Sequence, residues 1–408
     1  MTYAEAQRRL QEISQEQLLR FWDELNDGEK EGLLKQIEDT DFSVIRHFYC
    51  HEKLDGRGHT EPIRGLRLAD IRARRAEFVA VGKAAIGAGK VGAVLLAGGQ
   101  GTRLGFDGPK GAFNIGITAP LYIFEQQVKN LLEVVRECGA YVPLYIMTSD
   151  LNHDATVKFW QEHDYFSYPA EYVRFFVQEM APAVDRDGKV LLAEKDSIAL
   201  SPNGNGGWLS SMQKCGLLDD VSRRGVEWLN AYAVDNVLQR IADPAFVGAT
   251  ILSGCNCGSK VVCKADPHER VGVLCLQDGK PNIIEYYEMT EEMACQRDEK
   301  GDLAYLYGVI LNYLFNVPKA LSVLDRKIPV HVVEKKVPYV DENGEKVNPS
   351  APNAYKFETL ILDMVRLMDT CLPYEVEREK EFAPVKNATG TDSVESARLL
   401  LQKNGVKL

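Results

Sequence analysis

Apolar residues return at helical spacing from the start of the chain. Leu10, Ile13, Leu18, Leu19, Phe21 and Trp22 recur through residues 3–50, which predicts short amphipathic helices. Ser14 with Gln17 reads as a capping box, and the NDGE stretch at 26–29 breaks the pattern before a further helix. Residues 51–64 are polar and irregular and read as a linker, and a helix is expected over 67–87. The HFYCH stretch from His47 to His51 has i, i+4 spacing. No acidic catalytic partner shares its helix, so solvated histidines are expected there rather than metal ligands.

From residue 91 the pattern changes. VGAVLLA is a buried strand running into glycines. A long helix is expected over 119–138, with Thr118 as its cap and Pro120 in its first turn. Strands follow at 142–149, 173–178 and 226–236, with a helix over DATVKFWQEH between the first two. Such alternation predicts an α/β domain with a largely parallel sheet. Ligands of such sheets sit at the carboxyl ends of the strands. The stretch 97–111, Gln178 and Asp235 all fall there. Further along, 251–288 reads as antiparallel ribbons turning at DGKP, and 305–317 as an apolar helix. A hairpin turn is expected at ENGE, with helices over YKFETLILDMVRLM and SVESARLLLQK. The expected organisation is a helical region over 1–88, a catalytic domain over 89–390 and a short helical tail over 391–408.

Length and charge narrow the field. A chain of 408 residues exceeds one compact core and suggests about two or three structural units. The net charge of −11 argues against a broad nucleic-acid or anionic-membrane surface. The polar N-terminus has no apolar signal core. No apolar run approaches the roughly 20 residues of a membrane helix, so a cytoplasmic location is expected. Nine scattered cysteines fit reduced thiols better than a disulfide framework. Cys255 and Cys257 have no second pair or nearby histidine to complete a zinc site.

The chemistry concentrates in LLAGGQGTRLGFDGPKG, residues 95–111. A dinucleotide fingerprint starting at Gly99 needs glycine at 104, where Leu104 stands; Gly105 comes one place late. A P-loop needs Gly-Lys-Ser/Thr, but Lys110 follows Pro109 and precedes Gly111. Both templates fail while their physics remains. Glycines let backbone N–H groups approach an anion, and Arg103 and Lys110 add two full charges, which suits a triphosphate. The plain alternative is a strand-to-helix turn with surface cations. SPNGNGGW at 201–208 is a second glycine cluster and reads by itself as a turn. Asp235 is either a Mg²⁺ ligand or the N-cap of a helix over NVLQRIAD. Glu285 reads as a strand residue that either accepts a hydrogen bond from a hydroxyl or is simply exposed, and Met180, Met289 and Met293 as packing.

Together these stretches resemble a known family. The glycine loop, SPNGNGGW, AVDNVLQRIADP, NCGSKVV, IIEYYEM, EKKVPYVDENGEKVNPSAPN and FAPVKNA are similar, in order and spacing from about 91 to 390, to the eukaryotic-type UDP-N-acetylhexosamine pyrophosphorylases. These belong to the wider group of UTP:sugar-1-phosphate uridylyltransferases. The resemblance implies a Rossmann-like, mixed, mainly parallel central sheet flanked by helices, of nucleotidyltransferase type. It implies UTP and a sugar-1-phosphate as substrates, UDP-sugar and pyrophosphate as products, and Mg²⁺ as cofactor. Leu96, Gly98 and Gly99 would line uracil and ribose, Gln178 would bond the uracil edge, and Gly204 would lie close to the base. Arg103 and Lys110 would hold the leaving pyrophosphate, Asp235 would carry Mg²⁺, and Lys386 would reach the sugar's phosphate. Asn205, Gly272 and Glu285 would contact sugar hydroxyls.

Three departures bear on that expectation. Val309 stands where the family has a sugar-pocket asparagine, and Leu360 and Leu362 stand where it has aromatics against the N-acetyl group. The chain also ends 21 residues after Asn387, so the family's extra C-terminal domain is expected to be missing or reduced. An N-acetylhexosamine-1-phosphate is the expected sugar, with glucose- or galactose-1-phosphate as the alternative and a non-catalytic UDP-sugar sensor as a remoter one. A monomer with no nucleic-acid or membrane partner is expected.

Overall fold

The computed structural model describes residues 1–49, 58–324 and 328–408. Cys50 and His51 of the HFYCH stretch, and the first part of the expected linker, lie outside the described residues. The chain divides into two compact units. The smaller combines Met1–Gly56, the first part of the expected helical region, with Gln178–Gly207 and Ile328–Ile361, and the larger holds the rest, including residues 57–88. Among the described residues no helix is long and apolar enough to cross a membrane.

In the smaller unit, helices Tyr3–Glu12 and Asp27–Asp39 begin at full capping boxes on Thr2 and Asn26. Their apolar faces, including Leu10, Leu33 and Ile37, pack with Val190, Leu192, Ile198, Val340 and Phe357 from far along the chain. The strand Ala354–Glu358 pairs antiparallel with His331–Lys335. The expected helix over YKFETLILDMVRLM is therefore confined to Ile361–Leu367. The ENGE turn joins Tyr339–Val340 to Lys346–Val347 as the sequence indicates.

The larger unit is built on one ten-stranded sheet. Its strands are β1 (Thr60–Pro62), β2 (Val91–Leu96), β3 (Leu144–Thr148), β4 (Val173–Val177) and β5 (Trp228–Ala233), then β6 (Cys257–Cys263), β7 (Val273–Gln277), β8 (Lys280–Ile284), β9 (Tyr307–Asn316) and β10 (Cys371–Glu375). The order runs β1-β7-β9-β5-β2-β3-β4, with β8 on β7, and β6 joining β9 to β10. Strands β5, β2, β3 and β4 are mutually parallel, as are β6 and β10. Strand β9 is antiparallel to β5 and β6. The mixed α/β sheet matches the expected fold class.

Helices α1 (Leu68–Gly87), α2 (Ile123–Cys138), α3 (His153–Glu162), α4 (Pro244–Ser253) and α5 (Val394–Lys403) belong to this unit. Gly82 on α1 and Gly248 on α4 let these helices meet backbone to backbone. A Cβ on Gly82 would lie 1.9 Å from the Pro244 carbonyl oxygen.

Four expectations are corrected here. Residues 305–317 form strand β9, not a helix. No side chain of the strand is exposed on either face, so it has no alternation of apolar and polar residues to show. Helix α2 begins at Ile123 with Tyr122 as N-cap. The preceding stretch is diverted into a loop in which the Asn114 side chain accepts from the Gly116 and Leu121 N–H groups. Thr118 instead donates its hydroxyl to the Leu408 carbonyl. Asp235 caps no helix, because NVLQRIAD is irregular and α4 starts at Pro244 under Asp243. Part of the supposed linker is strand β1, paired with β7.

Candidate functional site

Strand β2 delivers the chain into the glycine loop at the carboxyl edge of the parallel strands. The loop folds back on itself, with Gly101 N–H donating to Gly108 O (2.9 Å) and Lys110 N–H to Gly99 O (3.1 Å). Gly105 sits at φ +68°, a left-handed position that only glycine takes cheaply. A Cβ on Gly111 would strike the Phe124 ring at 2.2 Å, so α2 closes against the base of the loop only because that residue is glycine.

Two polar side chains beyond β3 set the loop's orientation. Asn152 donates to Ala97 O (3.0 Å) and Gly99 O (3.3 Å), and accepts from Ser149 N–H (2.8 Å). The Ser149 hydroxyl donates to Gly98 O (2.9 Å). The carbonyls of three consecutive loop residues are thus bonded on one side. Sequence reading did not single out Ser149 or Asn152; the signal available was a polar SDLN cluster at the carboxyl end of β3.

Asp235 follows β5 on an irregular segment held by buried amides. Gln127 donates to Val234 O and Asn236 O, Gln239 donates to Ala233 O, and Asn230 accepts from Ala242 N–H. The segment pairs with residues 381–385. Asn236 donates to Glu381 O and accepts from Ala383 N–H, Val237 N–H donates to Ala383 O, and Val385 N–H donates to Asp235 O (2.9 Å). Lys386 comes next, with its ammonium 3.1 Å from Asp392.

The larger unit therefore brings Arg103, Lys110, Asp235 and Lys386 together from three separate stretches. Lys110 Nζ lies 3.9 Å from the Asp235 carboxylate, and both side chains are mostly covered. Burial holds the Lys110 ammonium below its ordinary value. Asp235 works against that, while Arg103 and Lys386 lower it further. Three cations set against the carboxylates of Asp235 and Asp392 leave an excess of positive charge that a bound polyanion would offset. Leu96, at the end of β2, is buried, and Gly98 and Gly99 are more open.

A second group lies around Gly272. A Cβ there would be 3.4 Å from Val309 and 3.6 Å from the Glu285 carboxylate, and Val309 N–H donates to Gly272 O (2.8 Å). Glu285 follows β8 rather than lying within it, because the strand ends at Ile284 where the chain turns back through Glu288. Met289 and Met293 pack on the adjacent core as expected. Gln178, Gly204 and Asn205 belong to the smaller unit. There the Asn205 side chain accepts from Ile361 N–H (2.9 Å), and Gly206 N–H donates to Thr359 O (2.9 Å). Gln178 is buried.

Residues 71–408 match the profile of the UTP–glucose-1-phosphate uridylyltransferase family. The chain belongs to that family. Among relatives of this uridylyltransferase-family chain, the human UDP-N-acetylhexosamine pyrophosphorylase-like protein 1 is 38% identical over 94% of this chain and 80% of its own length. The Saccharomyces cerevisiae UDP-N-acetylglucosamine pyrophosphorylase is 34% identical over 97% and 88%. The Trypanosoma brucei UDP-N-acetylglucosamine pyrophosphorylase structure superposes with TM-score 0.83 at 26% identity, covering 97% of this chain and 83% of that one. A Leishmania major UDP-glucose pyrophosphorylase shares the fold, with TM-score 0.65 at 16% identity over 89% and 78%.

Proposed function

We propose that this chain is a uridylyltransferase that converts UTP and a sugar-1-phosphate to UDP-sugar and pyrophosphate. N-acetylhexosamine-1-phosphate is the proposed sugar substrate and Mg²⁺ the cofactor. The observation that carries this reading is a cationic cluster beside the glycine loop, in which Lys110 lies 3.9 Å from the Asp235 carboxylate and feels the charges of Arg103 and Lys386. The curated names of the human and yeast relatives support the choice of sugar.

The nucleophile is a phosphate oxygen of the sugar-1-phosphate, already anionic at neutral pH, so no general base is needed. It attacks the α-phosphorus of UTP; the bond from that phosphorus to the bridging oxygen breaks, and pyrophosphate leaves with the electron pair. The protein's work is to hold two polyanions together and to neutralise the leaving group. Lys110 and Arg103 take the β- and γ-phosphates. Lys386 takes the phosphate that stays with the sugar, and the glycine-loop amides bind the nucleotide's phosphates. The Asp235 carboxylate, mostly covered and just past the end of β5, fits a cation that prefers one or two carboxylates plus water and phosphate oxygens. Asp235 would hold that Mg²⁺, which supplies charge neutralisation across the phosphates when bound.

A second reading, with glucose-1-phosphate as the sugar, is favoured by Val309. It lies beside Gly272 and Glu285, where the resemblance calls for an asparagine. Loss of a buried amide relaxes discrimination by about 1–3 kcal/mol. A pyrophosphate-release assay with UTP, Mg²⁺ and a panel of sugar-1-phosphates tests both readings. Release with N-acetylhexosamine phosphates supports the first, release only with glucose-1-phosphate supports the second, and release with none of them ends the uridylyltransferase reading.

A further inference from the structure

Lys260, on β6, has no exposed side-chain surface. It lies opposite a bulge, because the β6–β9 register slips between Ser259 and Val261, where Leu311 of β9 takes φ +53°. Its ammonium donates to Arg240 O (2.9 Å) and to the Glu381 carboxylate (2.5 Å), and lies 3.5 Å from Asp243. Arg240 closes the group. Its N–H donates to Glu381 (3.2 Å) and its guanidinium to Asp243 (3.3 Å). Burial raises the Asp243 carboxyl, but Lys260 and Arg240 more than offset it and hold the group below its usual range. For Glu381, burial outweighs the attraction of Lys260 and leaves it above that range.

A buried ion group of this kind is weak evidence for stability, because desolvation consumes most of the Coulombic gain. Its placement suggests another use. Arg240 and Asp243 terminate the irregular segment that begins at Asp235, and Glu381 begins the stretch that ends at Lys386. Between these ends runs the backbone ladder that joins Asn236–Val237 to 381–385. Lys260 is bonded to both segments at the end of the ladder away from Asp235 and Lys386. Its side chain has no exposed surface there.

We infer that Lys260 is a positioning residue for uridylyl transfer: by clamping Glu381 to the Arg240–Asp243 turn, it fixes the spacing between the Asp235 carboxylate and the Lys386 ammonium. The inference rests on the proposed uridylyltransferase reading. Removing such support costs about 10–100-fold in activity or affinity where analogous supporting contacts have been cut.

The test compares wild type with Lys260→Met and with the double variant Lys260→Met/Glu381→Met. Each is assayed by pyrophosphate release well below its melting midpoint, by calorimetric titration with MgUTP, and by thermal melting. Lys260→Met is expected to lose about 10–100-fold in kcat, bind MgUTP more weakly and melt earlier. The double variant, with an apolar pair in place of the buried ions, is expected to regain most of the melting midpoint while kcat and MgUTP affinity stay low. Should kcat and affinity return with the midpoint, Lys260 serves packing alone and the inference falls. It falls equally if Lys260→Met keeps wild-type kcat and affinity. If Lys260→Met does not fold, the double variant decides by the same two readouts. A wild type that releases no pyrophosphate from any sugar phosphate overturns the underlying reading. An active wild type with unaffected variants overturns only the role of Lys260.

Discussion

The two glycine clusters have similar composition and opposite physics. In the loop after β2, an added Cβ on Gly99 or Gly105 would meet no atom within 4 Å. In the 203–207 loop of the smaller unit, a Cβ on Gly204 would lie 2.2 Å from the Thr359 carbonyl oxygen, and one on Gly206 would lie 2.7 Å from Leu360 N. Gly99 and Gly105 leave space beside the chain, while Gly101 and Gly111 of the same loop pack against Phe106 and Phe124. The second cluster removes such space, so that two backbone stretches can zip together through Thr359 N–H to Asn203 O. A glycine cluster by itself therefore does not announce a ligand; what surrounds the missing Cβ distinguishes a cradle from a seam.

That contrast can be pressed by substitution. The largest effect belongs to the cations of the open loop. Lys110→Met should lower kcat for pyrophosphate release by about 10²–10³-fold, the cost of removing one preorganised charge donor, with the far-UV spectrum unchanged. Retained turnover would remove Lys110 from the site. Next comes the packed loop. Gly204 has φ +85°, so Gly204→Ala should cost about 1–3 kcal/mol from backbone strain alone, and more from its clash, read as a lower denaturation midpoint. A midpoint equal to wild type would dissolve the seam interpretation. Gly99→Ala is the mirror case. Its stability should stay within about 0.5 kcal/mol of wild type, while MgUTP affinity falls because a methyl group fills the space open to ligand; unchanged affinity would make this loop inert. The smallest effect is on stability. The Lys110 ammonium is held below its ordinary value in the folded state, so the unfolded chain binds the proton more tightly and the charge opposes folding at neutral pH. Lys110→Met should therefore gain a little stability near pH 7, less than Gly204→Ala loses. That gain should shrink as pH rises through the lowered value toward the ordinary 10.5, where neither state holds the proton. A loss of stability at pH 7 would contradict the sign.

How much of this was written in the sequence depends on the range of the interaction. Strands β2, β3, β4 and β5 were legible because each is a short apolar run ending in polar or glycine residues. The DGKP turn was legible for a local reason: Asp278 and Gly279 both take positive φ between β7 and β8, as a tight hairpin demands. Strand β9 was misread because apolar side chains on both faces carry neither a period of two nor one of 3.6. Within the site, Arg103 and Lys110 could be paired from seven residues' spacing. The meeting of Asp235 with Lys386 could not be read from the residues alone. It depends on an unmarked backbone ladder between 236–237 and 381–385, and on Lys260, whose burial no local pattern reports. Ser149 and Asn152 escaped for a similar reason, since a polar turn after a strand looks the same whether its amides meet water or a neighbouring loop.

The patchwork assembly of the smaller unit has a consequence during synthesis. Leu10, Leu33 and Ile37 are completed by Val340 and Phe357, roughly 300 residues downstream. At translation speeds of about 5–20 residues per second, the opening helices wait between a quarter of a minute and a minute for the segments that cover them. Until then the apolar stripes of these helices have only one another and the 190–198 segment to pack against.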